Sequence, residues 1–296
     1  MISASLCASS SSIRAMPGFL RRGLVVALLI PRALAAQTAP SDLQSTVSLP
    51  GGTCDSLAPD TPHSDALRKV CEYAVTLPLV MPNFTCEQKT SRYLDGQPAD
   101  VVTANVTYED GKESYQDIKW NGHLVTDTKL LNPGTWSTGQ FGGDVRSLFD
   151  TGNTVSFQFV TESKIDGRRV LTFQYRVAHQ DVPLWRLHVQ DQVLAPPYHG
   201  QLRIDEDTGA LLQLRLEAAE IPANFPMRSA DLQIDYEDVL FADGTSFLLP
   251  PRSEVNGADH KGTHNRNLLE FRNCHKFRAT ARIVPELSPA TSDRPG

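Results

Sequence analysis

Apolar and polar residues alternate along most of the chain after Asn83. This period of two is typical of strands with one buried face and one solvated face. The pattern predicts roughly ten strands. The clearest alternating segments are 102–108, 155–159, 171–177, 185–189, 212–216, 232–236 and 277–283.

Short turn dipeptides separate these segments. They are Asp95-Gly96, Asp110-Gly111, Asn121-Gly122, Asp166-Gly167 and Asp243-Gly244, with Thr208-Gly209 as a further candidate. Asp-Gly and Asn-Gly pairs favour the tight turns of β-hairpins. No long helical crossover lies between the segments, so we expect an antiparallel meander rather than a parallel sheet.

Before Pro78, the apolar residues recur with the period of a helix rather than that of a strand. Ser64 is a candidate N-cap, and an apolar stripe follows at Leu67, Val70, Cys71 and Ala74. We predict a helix over 64–77 that is ended by Pro78. It is the one predicted element long enough to cover the apolar face of a large sheet. The predicted fold class is therefore mainly β (α+β), a strongly curved antiparallel sheet or incomplete barrel wrapped around this N-terminal helix. A glycine-rich loop and a short helix at 144–149 interrupt the meander within 132–150.

The first 35 residues have the order of a cleavable secretory signal. Arg14, Arg21 and Arg22 precede the apolar run 23–30, and a small-x-small pattern follows at 33–35. The run is too short to span a bilayer, so no integral membrane segment is expected in the mature chain. Met1 and Met16 are both compatible with the start of this signal. We predict a signal peptide at 1–35, a flexible leader at 36–62, one curved β domain at 63–285 and a disordered tail at 286–296.

Removal of the signal makes the chain more acidic. The segment contains four arginines and no acidic residue, so the net charge changes from −6 to −10. Nucleic-acid binding depends on basic side chains that displace counterions from phosphates, and this charge disfavours it. We predict a periplasmic or extracellular protein that has no nucleic-acid partner.

Four cysteines remain after the signal, and an even number in an exported chain predicts two disulfides. Of the three possible pairings we favour Cys54–Cys71, which closes a short loop onto the helix, and Cys86–Cys274, which ties the first strand to the last. The spacing contains no Cys-x-x-Cys pair and does not favour zinc.

No other residues form a recognisable catalytic, metal or cofactor motif, and no cofactor is predicted. Asp205, Asp207 and Gly209 have the spacing that starts a calcium loop, but the later ligands of such a loop are missing, so a turn is expected. His260 and His264 lie among glycines and asparagines, so both are expected in a loop.

The alternating apolar side chains have two interpretations, a ligand cavity or a filled core, because both have the same sequence pattern. The residues expected to line a cavity are Phe157, Phe159, Phe173, Tyr175, Trp185, Leu214 and Leu216.

Five stretches resemble a secreted bacterial family related to the LolA-type lipoprotein-carrier superfamily. They are LPLVMPNFTCEQKTSRY (77–93), WSTGQFGGDVRSLF (136–149), YHGQLRIDEDTGALLQLRLEA (198–218), IDYEDVLFADGTSFLLPPRSE (234–254) and LEFRNCHKF (269–277). The resemblance implies an incomplete antiparallel barrel closed by helices over a hydrophobic cavity, and a non-enzymatic role. The two cysteine pairs and the long leader depart from the typical carrier.

The resulting hypothesis is a non-enzymatic binder of an apolar ligand or a lipidated protein, with lipid, an acyl chain or a lipoprotein as the partner. Two alternatives stay open. One is a structural or protein-interaction module of the cell envelope, with another envelope protein held at a sheet edge or at the 132–150 loop. The other is a hydrolase with a dispersed site, which would bring His, Asp or Ser together in one cleft.

Overall fold

The computed structural model describes residue 54 and residues 62–126, 139–149, 153–180, 185–189 and 192–277. All of these belong to the unit Val47–Gly296, the second of two into which the chain divides. The predicted signal (1–35) and tail (286–296) lie outside the described residues, as does the leader apart from Cys54 and Pro62.

The described residues form two helices and thirteen strands. The helices are α1 (Ser64–Val80) and α2 (Gly143–Ser147). The strands are β1 (Phe84–Leu94), β2 (Gln97–Glu109), β3 (Lys112–Trp120), β4 (His123–Leu124), β5 (Asn153–Ile165), β6 (Arg168–Gln180), β7 (Leu187–Val189), β8 (Gln192–Leu194), β9 (Tyr198–Asp205), β10 (Leu211–Ala218), β11 (Met227–Leu240), β12 (Ser246–Asp259) and β13 (His264–Lys276).

Eleven of these strands form one antiparallel sheet in the order β4-β3-β2-β1-β13-β12-β11-β10-β9-β6-β5, and β7 pairs with β8 separately. The first and last strands, β1 and β13, lie side by side in the middle of the sheet. β4 and β5 are its two edges, so the sheet is not closed within the described residues. The mainly β, curved and incomplete antiparallel fold predicted from the sequence is confirmed.

The hairpin turns follow the predicted dipeptides. Asp95, Asp110, Asn121 and Asp166 have φ values of 48–49°, and the glycine after each has φ of 78–83°. Two successive positive φ angles define the turn that matches the twist of antiparallel strands, and glycine and Asp or Asn adopt them at least cost. These short-range signals therefore fix the strand connections.

Helix α1 carries the predicted apolar stripe, but both of its ends differ from the prediction. Ser64 is the first helical residue, and the N-cap is His63, at φ 59° and without a side-chain cap. Pro78 lies inside the last turn, and the helix continues to Val80. Pro78 has no N–H and so removes one backbone bond to the preceding turn, and the helix ends two residues later.

Three further predictions change in detail. A bulge between Leu211 and Gln213 buries Leu211 instead of the expected Leu212. The short helix is Gly143–Ser147 rather than 144–149. Trp185 lies just before β7 and Phe277 just after β13, and 279–283 fall outside the described residues.

Helix α1 packs on one face of the sheet, which we call the inner face, over two apolar clusters. The N-terminal cluster joins Leu67, Val70 and Ala74 of α1 to β6, β9, β10 and β11. The C-terminal cluster joins Leu77 and the following Met81 to β1, β2, β12 and β13. Burial of these side chains is the main stabilising term of the fold.

The cysteines pair as favoured from the sequence. Cys54 is bonded to Cys71 on α1, with 5.8 Å between their Cα atoms. Cys86 on β1 is bonded to Cys274 on β13, with 4.1 Å between Cα atoms and a sequence separation of 188. Of the helices that the described residues form, none has both the length and the apolar character required to cross a bilayer.

Candidate functional site

The seven residues predicted to line a cavity all lie on or beside the inner face. Phe173, Tyr175, Trp185, Leu214 and Leu216 are buried and belong to the N-terminal cluster. Phe157 and Phe159 on β5 are half-buried and pack against its edge. These side chains pack against one another and against α1, so this half of the inner face serves as core.

A single glycine shapes that half of the core. Gly200 on β9 lies between Tyr175 of β6 and Leu216 of β10. The Tyr175 hydroxyl passes beside it and donates to the Arg215 carbonyl oxygen at 2.6 Å. A side chain at position 200 would overlap this carbonyl oxygen, so the tyrosine bond depends on glycine here.

The other half of the inner face has an opening to solvent of about 560 Å³. It lies between the C-terminal end of α1, the β2–β3 hairpin and the loop that leads into α2. Its principal lining residues are Leu77, Tyr108, Glu113, Tyr115, Gly143 and Arg146.

The floor of this opening is apolar and largely aromatic. Leu77 and Tyr108 belong to the C-terminal cluster. The Tyr108 ring stacks on Phe84 at 5.3 Å between ring centroids, and Phe84 meets Phe141 edge-on at 5.1 Å. Lys112, Glu113 and Arg146 line the same opening. The opening therefore combines an aromatic floor with charged groups.

The loop before α2 is held in place by one carboxylate. Glu113 on β3 accepts backbone N–H bonds from Gly139 at 2.9 Å and from Phe141 at 3.0 Å. It also accepts the Tyr115 hydroxyl at 2.7 Å. A side chain at Gly142, which has φ 121°, would overlap Leu77, so glycine allows this loop to approach α1 closely.

Asp144, the second residue of α2, is a buried acid behind this loop. Its Oδ2 atom has no hydrogen-bond partner among the described residues. Burial, and secondarily the nearby Glu113 carboxylate, raises the pKa of Asp144 to about 8. Burial, and secondarily Asp144, raises the pKa of Tyr236 well above its ordinary value. Asp144 is therefore protonated at neutral pH, because ionisation here would place a second negative charge next to Glu113 in an apolar region.

The hydroxyl of Ser147 lies in the same region. It donates to the Asp144 carbonyl oxygen at 2.6 Å and lies 3.1 Å from the Tyr198 hydroxyl. Neither neighbour is a general base for a serine nucleophile, so these contacts do not favour the hydrolase alternative. No group of three or more His, Cys, Asp or Glu residues within the described ranges is arranged to hold a metal ion.

The solvated face of the sheet carries a shallow polar groove of about 900 Å³. A row of residues in register across six strands crosses it: Ser156, Arg176, His199, Glu217, Asp231 and Asn256. Asn256 donates to Asp231 at 2.9 Å, and burial raises the pKa of Asp231. The side chains in this row carry charges of both signs. From the sequence alone, these positions are recognised only because they alternate with buried ones.

The remaining candidates from the sequence line neither the opening under α1 nor the polar groove. Asp205 accepts the Thr208 N–H at 2.9 Å, which confirms the expected turn. His260 lies in the turn before β13, as expected. His264 is the first residue of β13 rather than part of a loop, because it pairs with Ala258 on β12. Its N–H also donates to the Asp95 carboxylate at 2.8 Å.

No family model matches the chain, and no curated protein matches it. Several solved structures are similar in fold. A LolA superfamily protein from Nitrosomonas europaea is 11% identical, with a TM-score of 0.40 over 72% of this chain and 94% of that one. A putative outer membrane lipoprotein-sorting protein domain from Vibrio parahaemolyticus is 7% identical, with a TM-score of 0.38 over 72% and 93%.

A DUF1329 family protein from Desulfovibrio piger is 10% identical, with a TM-score of 0.40 over 75% of this chain and 95% of that one. The resemblance to LolA superfamily proteins expected from the sequence is confirmed as a likeness to these structures. At identities and scores of this size the likeness carries no argument about function, which depends on the contacts described above.

Proposed function

We propose that this chain is a non-enzymatic binder of an apolar ligand or of the acyl part of a lipidated protein, and that it acts in the periplasm or outside the cell. The observation that carries the proposal is the opening under the end of α1, with its aromatic floor and charged residues. Its volume of about 560 Å³ falls in the range of small-molecule sites.

The two parts of an amphiphile fit the two parts of this opening. An acyl chain against Leu77 and Tyr108 removes apolar surface of both partners from water. A carboxylate or other anionic head group remains near Lys112 and Arg146, which supply positive charge. The two disulfides support an oxidising location, because such bonds persist mainly outside the cytoplasm.

The test is titration of delipidated full-length mature protein with a BODIPY-labelled long-chain fatty acid. The blocking variant is Gly143→Trp. Gly143 lines the opening, is exposed, and has no atom within 4 Å of the position that a Cβ would take. Because a Cβ here meets open space, a tryptophan side chain can extend into the opening and compete with the ligand for its volume, so we expect the affinity for the probe to fall about tenfold or more.

The matched control is Leu240→Trp, which adds the same side chain to an exposed residue of β11 outside the opening. Its affinity should equal that of the wild type, and both variants should keep the wild-type circular dichroism spectrum. A palmitoylated peptide should compete with the probe, whereas the same peptide without palmitate should not. Absence of saturable binding, or equal binding by Gly143→Trp, contradicts the proposal.

A further inference from the structure

The two edges of the large sheet differ greatly in length. β4 has two residues, whereas β5 has thirteen. In the part of the chain that the structure describes, β5 pairs with β6 on one side and with no strand on the other. One row of its backbone N–H and C=O groups is therefore available to an additional strand.

The central stretch of β5, residues 155–159, has no charge, proline or bulge of its own, although a register shift lies on either side of it. Residues 155–159, Val-Ser-Phe-Gln-Phe, contain no charge, proline or glycine. Register shifts occur before Val155 and after Phe159, so these five residues form a regular ladder between two irregular points. The acidic and basic side chains Glu162 and Lys164 come only after the second shift. Natural sheets normally place charges, prolines or bulges along such an edge.

The two sides of this ladder have different chemistry. Val155, Phe157 and Phe159 are half-buried on the inner face, where Phe157 stacks on Phe149 at 5.6 Å between centroids. Ser156 and Gln158 are exposed at the end of the polar groove. An added strand would cover the half-buried aromatic side chains with its own apolar residues at every second position.

We infer that the β5 edge at 155–159 is a docking site for an extended segment of a partner protein, which adds a twelfth strand to the sheet. The mode is β-augmentation, in which backbone hydrogen bonds provide affinity and alternate side chains provide specificity. The preferred segment has β-branched or aromatic residues at alternate positions and basic residues at its ends.

Charge favours such a segment over a second copy of this chain. The full sequence has a net charge of −6, or −10 without the predicted signal, so edge-to-edge pairing of two copies brings together molecules that repel each other. A segment with basic residues is attracted by the net negative charge of the chain. The inference is independent of acyl binding, because β5 does not line the opening under α1.

The test uses the whole protein and a synthetic Lys-Val-Thr-Val-Thr-Val-Lys peptide, with hydrogen–deuterium exchange as the readout. Saturating peptide should slow exchange of amides within 155–159 by about tenfold or more. The same peptide with its backbone nitrogens methylated has identical side chains but lacks the N–H donors, and should give no protection. Absence of protection at 155–159, or equal protection by both peptides, overturns the inference.

Two variants locate the site with the same substitution on neighbouring strands. Gln158 on β5 pairs with Gln174 on β6, and both are exposed. Gln158→Lys places a positive charge beside the docked peptide and should weaken its binding several-fold, while Gln174→Lys, one strand further in, should weaken it less. Equal effects of the two variants, or a concentration-dependent dimer of the free protein that Gln158→Lys dissociates, contradict a partner segment as the occupant.

Discussion

At the scale of single residues, Asp144 makes stability depend on pH in an unusual direction. The pKa of Asp144 is about 8 in the folded protein, against an ordinary value of 3.8. At pH values between these two pKa values, Asp144 holds a proton in the folded protein that it has released in the unfolded chain. This contribution to stability is complete below about pH 4, decreases as the pH rises, and is lost above about pH 8.

We expect the variant Asp144→Asn to remove this dependence. The amide has nearly the same shape and does not ionise, so at pH 8 the variant should be more stable than the wild type by on the order of a few kcal/mol. Urea unfolding at several pH values between 4 and 9 measures the effect. The control is Asp166→Asn, in the exposed β5–β6 turn, which should leave the slope of stability against pH unchanged. Parallel curves for the wild type and Asp144→Asn would show that Asp144 does not titrate in this way.

Gly200 leads to a second prediction at this scale. Replacement by alanine forces a Cβ into the Arg215 carbonyl oxygen and against the Tyr175 hydroxyl. Because the first of these is a backbone atom in a central strand, relief requires movement of the sheet, and we expect Gly200→Ala to cost about 1–3 kcal/mol or more of unfolding free energy. Chemical denaturation measures this cost.

The matched substitution for this comparison is Gly143→Ala, where a Cβ meets no atom within 4 Å and the residue is helical. Alanine there should be neutral or stabilising by up to about 1 kcal/mol. If both alanine variants have the same stability, the close approach of β9 and β10 at Gly200 is not what requires glycine.

At the scale of elements, the sequence predicted those features that short-range chemistry determines. The Asp-Gly and Asn-Gly pairs located the hairpins, and the alternation of Phe173 and Tyr175 with polar neighbours identified the buried face. The stripe from Leu67 to Ala74 located α1 and its packing face. Each of these signals lies within a few residues of the structure that it predicts.

The opening under α1 could not be predicted in this way, because its parts are distant in the chain. Glu113 on β3 holds the backbone of Gly139 and Phe141, and Leu77 fits against Gly142. None of these contacts leaves a periodic pattern in the sequence. The glycine-rich stretch before α2 indicated a loop, but not that a carboxylate from another hairpin would hold it. The same limit applies to Pro78, whose position inside the last helical turn depends on where α1 ends.

At the scale of the whole molecule, the antiparallel order brings the first and last strands together, and one disulfide joins them. Cys86–Cys274 closes a loop with a sequence separation of 188, whereas Cys54–Cys71 closes one of 17. In the chain-entropy model, loops of these sizes stabilise the folded state by about 5 and about 3 kcal/mol, because a longer loop restricts the unfolded chain more.

This difference can be measured by removing each bond separately. The double variant Cys86→Ala/Cys274→Ala should lose about 2 kcal/mol more unfolding free energy than Cys54→Ala/Cys71→Ala in urea titrations. Its urea m-value should also rise, because the unfolded chain is no longer held in a large loop and exposes more surface. The second double variant should change the m-value less, since its loop is small. If the short-loop variant is the less stable of the two, then attachment of α1 through Cys71 outweighs the link between β1 and β13 in holding the sheet and its covering helix together.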